Sequence, residues 1–340
     1  MKLSYYPYTI SLKDNFAIST GSRTATPAVM VEVEHNGFIG YGEASLPPYL
    51  EENQTSVIHF LERVKLDLSN DLSDIDLFLN DLDRLAVGNN AAKASVDIAL
   101  HDLWGKLNNL PLHKLFEIQK KKNLFTSFTI GISSPDELER KIKSALQYKY
   151  LKIKLGANND KEIISSVRNY TNEPLLIDVN QGWIDKYFAL DMINWLSEKN
   201  VLLIEQPLPK NNLKDAGWLM ERSPLPIIAD EAVQEISDLE KIKECYSGVN
   251  VKLMKTGGIR NAFRMIKLAH ELNLKVMIGC MTETSCAISA ASHLSPLADW
   301  IDLDGAELIS NDLFLGLKIN DGEIVIPDLP GLGINKKALQ

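Results

Sequence analysis

The runs YLKIK at 150–154, PLLID at 174–178, VLLIE at 201–205 and IIAD at 227–230 share one design: a short apolar stretch that ends on a charged residue. Strands that are apolar nearly throughout belong to sheets covered on both faces, and such sheets are parallel. Working outward, the same pattern occurs at Phe125–Gly131, Val249–Leu253, Lys275–Cys280 and Trp300–Asp302, which makes eight runs. Amphipathic stretches lie between them. In 259–272, Ala262, Met265, Ile266, Ala269 and Leu272 recur at helical spacing. Ser134-Pro135-Asp136-Glu137 predicts a helix start with a capping box, running to about Gln147. The run ends fall at 154, 178, 205, 230, 252, 280 and 302, a strand–helix period. Eight such units close a (β/α)₈ TIM barrel. The open doubly wound alternative usually carries a glycine-rich loop after its first strand, and none is present.

The first 120 residues read differently. Met1–Leu12 and Ala28–His35 alternate as antiparallel strands do, with a turn at Asn36-Gly37, and helices are expected at Gln54–Asn70 and Asn90–Leu107. The expected organisation is an α+β capping domain over 1–120, a barrel over 121–312, and a tail from 313 to 340 that rejoins the cap. At 340 residues, 45% hydrophobic and 24% charged, the chain has the composition of a soluble globular protein. A net charge of −9 argues against a nucleic-acid partner. No stretch has the length of a membrane span, and the N-terminus lacks the pattern of a secretory signal. Three cysteines without CxxC spacing point away from disulfides and zinc, so a cytoplasmic location is expected, as is a homo-oligomeric state.

In a TIM barrel the strand C-termini form the active site. Three consecutive runs deliver Asp178, Glu205 and Asp230 there, and three converging carboxylates call for a divalent cation. All-oxygen ligation favours one Mg²⁺. Lysines flank that cluster: period-2 alternation turns Lys152 and Lys154 inward together, and Lys252 comes from the other side. Paired ammoniums are expected to depress each other's pKa and so to reach the range of a general base. A lysine on each side of a metal-bound carboxylate describes removal of an α-proton on one face and delivery on the other.

Lys152-Ile153-Lys154, Asp178-Val179-Asn180-Gln181-Gly182-Trp183, Glu205-Gln206-Pro207, Ala229-Asp230-Glu231 and the stretch from Asn250 to Gly258 resemble the enolase superfamily, most closely its muconate-lactonizing subgroup. The likeness extends to Gly40-Tyr41-Gly42-Glu43-Ala44 and to Asp97–Lys106. It implies Asp178, Glu205 and Asp230 as metal ligands and Lys154 and Lys252 as acid/base lysines. Lys152 is expected at the substrate, and Asn180, Gln206, Glu231 and Lys255 are expected to support the ligands from behind. The mandelate-racemase-like branch has a histidine at the end of strand seven. Here that strand ends Gly279-Cys280-Met281-Thr282, which assigns the second face to Lys252 and leaves Cys280, Met281 and Thr282 to line the substrate pocket.

Asp302-Leu303-Asp304 resembles the Asp-x-Asp signature with which dipeptide epimerases bind the substrate's α-ammonium. Arg23 resembles the loop arginine that meets an acidic side chain. The loop 47–53 is also expected to shape the pocket, although Glu51 and Glu52 in it would favour a cationic side chain. The resemblance thus implies a Mg²⁺-dependent epimerase of dipeptides, with L-Ala-D/L-Glu the leading substrate. The alternatives are an o-succinylbenzoate synthase, N-acylamino-acid racemase or muconate cycloisomerase, none of which needs an anion opposite the metal. From another class, a non-catalytic binding protein could use the same fold.

Overall fold

The computed structural model describes residues 1–19, 21–66 and 75–338. Its first part is an antiparallel sheet of β1 (Lys2–Ile18), β2 (Gly21–His35) and β3 (Phe38–Ser45), in that order. Asn36 and Gly37 both take left-handed backbone, with φ of 49° and 80°. That conformation suits a two-residue hairpin turn to the twist of its strands, and Asn-Gly supplies it at least cost. Helices α1 (Gln54–Leu61), α2 (Ile75–Leu85) and α3 (Asn90–Leu107) follow, and then a single helical turn at Leu112–Leu115. Of the helix expected over 54–70, α1 ends at Leu61 and positions 67–70 lie outside the described residues.

α3 is buried over most of its surface because it lies directly on β3. Contact is so close that a Cβ on Gly42 would stand 1.8 Å from the Ser95 carbonyl oxygen. We therefore expect Gly42→Ala to destabilise the protein by about 3 kcal/mol or more, since backbone cannot yield as a side chain can. A thermal melt checks it, and an unchanged Tm would contradict the contact.

The second part is an eight-stranded parallel sheet of β4 (Ser127–Ile130), β5 (Tyr150–Lys154), β6 (Leu175–Asp178), β7 (Val201–Glu205), β8 (Ile227–Ala229), β9 (Gly248–Lys252), β10 (Lys275–Gly279) and β11 (Trp300–Asp302), each hydrogen-bonded to the next. Helices connect the strands as far as β11, the last being Ser285–Ser292 after β10; β11 itself is followed by the 3-10 turn Gly305–Leu308. The expected helix at Pro135 forms, with proline in its first turn, but Ser134 makes no side-chain cap. A reciprocal capping box occurs instead at α1, where Asn53 and Ser56 bond each other's backbone N–H.

Alternation decides what fills the barrel. Leu176, Leu203, Ile228 and Met277 point inward and form their own apolar cluster. Two residues further along β6, β7 and just past β8 come Asp178, Glu205 and Asp230, on the same face. The intervening Ile177, Ile204 and Ala229 face outward and join the main core. The charged residues therefore stand on an apolar plug at the C-terminal mouth.

Between β11 and β4 no backbone ladder is formed among the described residues. The seam is closed by side chains: Thr126 Oγ1 accepts from Leu303 N (2.7 Å), Ser127 Oγ donates to Asp302 Oδ1 (2.7 Å), and Asp304 Oδ2 accepts from Thr129 N (2.6 Å). The tail touches both parts. Phe314 packs on Tyr41 of β3, Lys336 pairs with Glu32 of β2, and Gly322 O accepts from Thr126 N just before β4.

Candidate active site

Asp178, Glu205 and Asp230 are buried, and each offers a carboxylate oxygen within 4.8 Å of the others. Loop backbone helps to place them. Asn180, Gln181 and Gln206, just beyond β6 and β7, hold left-handed φ of 44°, 66° and 36°. Such conformations cost free energy and persist where surroundings over-determine them. Gln206 shows how: its side-chain oxygen accepts from Asp230 N and Ala232 N, and its amide donates to Leu208 O and the Tyr246 hydroxyl. Asn180 N donates to Asp178 Oδ1 at 3.0 Å, and Asn250 Nδ2 donates to Glu205 Oε1 at 2.7 Å.

Four lysines surround this triad. Lys154 Nζ lies 2.6 Å from Asp178 Oδ2, and Lys252 Nζ lies 2.8 Å from Asp230 Oδ2. Lys255, the expected support, donates to Asp230 Oδ1 at 2.6 Å and to its carbonyl oxygen. Lys152 reaches Asp178 (3.0 Å), Glu205 (2.7 Å) and Asp302 (2.7 Å) together. This corrects the expected electrostatics. Burial pulls the Lys152 ammonium down, but Asp302, Glu205 and Asp178 outweigh it and leave it well above the ordinary lysine range. For Lys252, burial is likewise outweighed, chiefly by Asp230. Lys255 is depressed, by burial.

Negative charge still goes unanswered. Burial and the Asp178 charge push Glu205 up, and burial with the Asp230 and Asp178 charges raises Glu231. Among the described residues, Asn180 Oδ1, Glu205 Oε2 and Glu231 Oε2 are buried acceptors without a hydrogen-bond donor, although Lys152 makes an ion-pair contact to Glu205 Oε2. Buried oxygens left in this way suit a hard divalent cation with its water. The donor set fits the metal expected from the sequence.

One pocket above the triad is lined by Lys152, Lys154, Lys252, Asn180, Cys280, Met281, Thr282, Arg23, Asp302 and Asp304. Glu231, Gln206 and Lys255 stay behind the carboxylates. Asp302 is satisfied at both oxygens, by Ser127 and Lys152. Asp304 is in no ion pair among the described residues; burial and the Asp302 charge push it up to about 7. Arg23 stands over the Phe16 ring at 5.2 Å and, among the described residues, bonds only the hydroxyls of Thr26 and Thr282, each at 3.1 Å. Glu52 does not face the pocket: it accepts from Ala91 N and Ala92 N at the start of α3. Tyr49, against Met281, is what the loop 47–53 contributes.

Sequence reading missed Phe16, Ile18, Tyr49 and Thr129 in the pocket wall, and Ser127 and Asn250 beneath it. Period-2 alternation back from Lys252 would have found Asn250. No comparable signal marks the capping residues.

Residues 7–116 match the family model for the mandelate racemase / muconate lactonizing enzyme N-terminal domain, and residues 136–338 the enolase C-terminal domain-like model. The chain belongs to the enolase superfamily. Within the superfamily it is 50% identical to an L-Ala-D/L-Glu epimerase of Bacteroides thetaiotaomicron, over 99% of this chain and 88% of that one. The solved structure of a substrate-liganded L-Ala-D/L-Glu epimerase from Bacillus subtilis superposes with a TM-score of 0.93 at 27% identity, covering 100% of this chain and 99% of the other. A dipeptide epimerase from Enterococcus faecalis, complexed with Mg and L-Leu-L-Tyr, gives 0.91 at 26% identity, with 98% of each chain covered.

Proposed function

We propose that this superfamily member is a Mg²⁺-dependent dipeptide epimerase that inverts the α-carbon of the C-terminal residue, with L-Ala-D/L-Glu its leading substrate. The observation that carries this reading is the pairing of Lys154 and Lys252 on opposite sides of the triad with a carboxylate just past β11, Asp304, that is in no ion pair among the described residues. Similarity to the Bacteroides and Bacillus epimerases supports the substrate class.

Mg²⁺ held by Asp178, Glu205 and Asp230 would supply positive charge to the substrate carboxylate as the α-proton leaves. The chain's own residues do the rest. Deprotonated Lys154 takes the α-proton on its face while the Lys252 ammonium delivers one to the other; the reverse direction exchanges the roles. Lys152 keeps Asp178, Glu205 and Asp302 in register between the metal site and the far wall. Asp304 receives the dipeptide's α-ammonium, and Arg23 receives an acidic side chain. Tyr49 and Phe16 wall the pocket from solvent.

An N-acylamino-acid racemase would use the same lysines but would have no use for Asp304. The two readings separate in D₂O by mass spectrometry, comparing L-Ala-L-Glu with N-propionyl-L-Glu, which differs only in lacking the amine. Exchange should be on the order of 10–100-fold faster with the dipeptide, the worth of one charge-assisted hydrogen bond. Equal rates would reject the dipeptide reading.

A further inference from the structure

We propose that Thr282 is a positioning residue that sets acidic-side-chain specificity by aiming Arg23, and that Ser45 and Glu43 of the capping sheet hold it in place; this rests on the dipeptide reading above. Arg23 has five N–H donors and, among the described residues, spends them on only two hydroxyls. Thr26 sits three residues away on the same strand and anchors Nε, so it cannot decide where the fork points. Thr282 can, because its hydroxyl takes Nη2 from across the domain boundary.

Thr282 is itself immobilised. Its carbonyl oxygen accepts from Ser45 Oγ at 2.6 Å, and two residues on, Thr284 N donates to both carboxylate oxygens of Glu43 at 3.0 and 3.2 Å. Glu43 and Ser45 lie on β3, which pairs with β2 through Met30↔Glu43 and Ala28↔Ser45. Arg23 is on β2. One sheet therefore carries both the arginine and the strut that presents its anchor. The Gly40–Ala44 motif gains a purpose: its glycines seat β3 on α3, and its glutamate reaches into the barrel. Without the anchor, the guanidinium gains rotamer freedom that must be lost again on meeting a carboxylate.

The test compares kcat/KM for L-Ala-L-Glu and L-Ala-L-Leu in Thr282→Val, Thr282→Ser and Ser45→Ala, with melting temperatures. Thr282→Val should lower the Glu/Leu ratio about tenfold, mainly through KM for the acidic dipeptide, and Thr282→Ser should restore it. Ser45→Ala should shift the ratio the same way by a smaller factor. Equal losses for both dipeptides, or a ratio that does not move, would overturn the proposal, whatever the melting temperature does. Arg23→Ala separates the layers. If it lowers the ratio and Thr282→Val does not, only this inference fails. If it leaves the ratio unchanged, the reading of Arg23 fails with it.

Discussion

Lys252→Ala loses net epimerisation but still exchanges the α-proton of one epimer in D₂O, and Lys154→Ala exchanges that of the other. The expectation comes from barrel topology. Lys154 ends β5 and Lys252 ends β9, with β6, β7 and β8 between them, so their ammoniums approach a bound α-carbon from different sides. Inversion needs both lysines, whereas exchange with retention needs only one. A positioned acid or base is worth roughly 10²–10⁴ in rate. Each variant should therefore lose on the order of 10³ in inversion while one of its two exchange reactions survives. Chiral chromatography with mass spectrometry reads both. If the two variants exchange the same epimer equally well, one lysine has been misassigned.

Exhaustive chelation removes turnover and Mg²⁺ restores it. Three buried carboxylates within 4.8 Å of one another are held here by Lys152, Lys154, Lys252 and Lys255. Those cations neutralise the cluster well enough to fold it, yet they leave Glu205 pushed up and its Oε2 without a hydrogen-bond donor. A bound ion should thus stabilise the folded protein as well as activate it. At a hundredfold excess over Kd the gain is about 2.7 kcal/mol, visible as a rise in Tm. Glu205→Gln should abolish both the Tm response and the turnover. Full activity in protein shown by elemental analysis to be metal-free would remove Mg²⁺ from the proposal.

The barrel was legible in the sequence because its strands are periodic and buried on both faces. Tyr150–Lys154, Val201–Glu205 and Trp300–Asp302 have the bounds expected, and the others differ by one or two residues at one or both ends. Alternation carried the inward set too: a residue two places past a buried leucine must share its face, so Asp178 follows from Leu176 and Glu205 from Leu203. The Asn36-Gly37 turn was equally local, since left-handed backbone selects its residues directly.

What the chain could not reveal by itself concerns groups far apart in sequence. The Ser134 cap is absent and the Asn53 cap present because a side chain bonds N–H groups only where its rotamer and the incoming strand allow it. Lys152 was expected to be depressed by its neighbour Lys154; folding instead brings it Asp178, Glu205 and Asp302, 26 to 150 residues away by their numbers, and the sign reverses. Glu52 looked available to a substrate until α3 took it as a cap. Asp302 and Asp304 were alike in the sequence. Closing the barrel gave Asp302 a lysine and, among the described residues, left Asp304 outside any ion pair, because Coulomb energy depends on distances that only the tertiary structure sets.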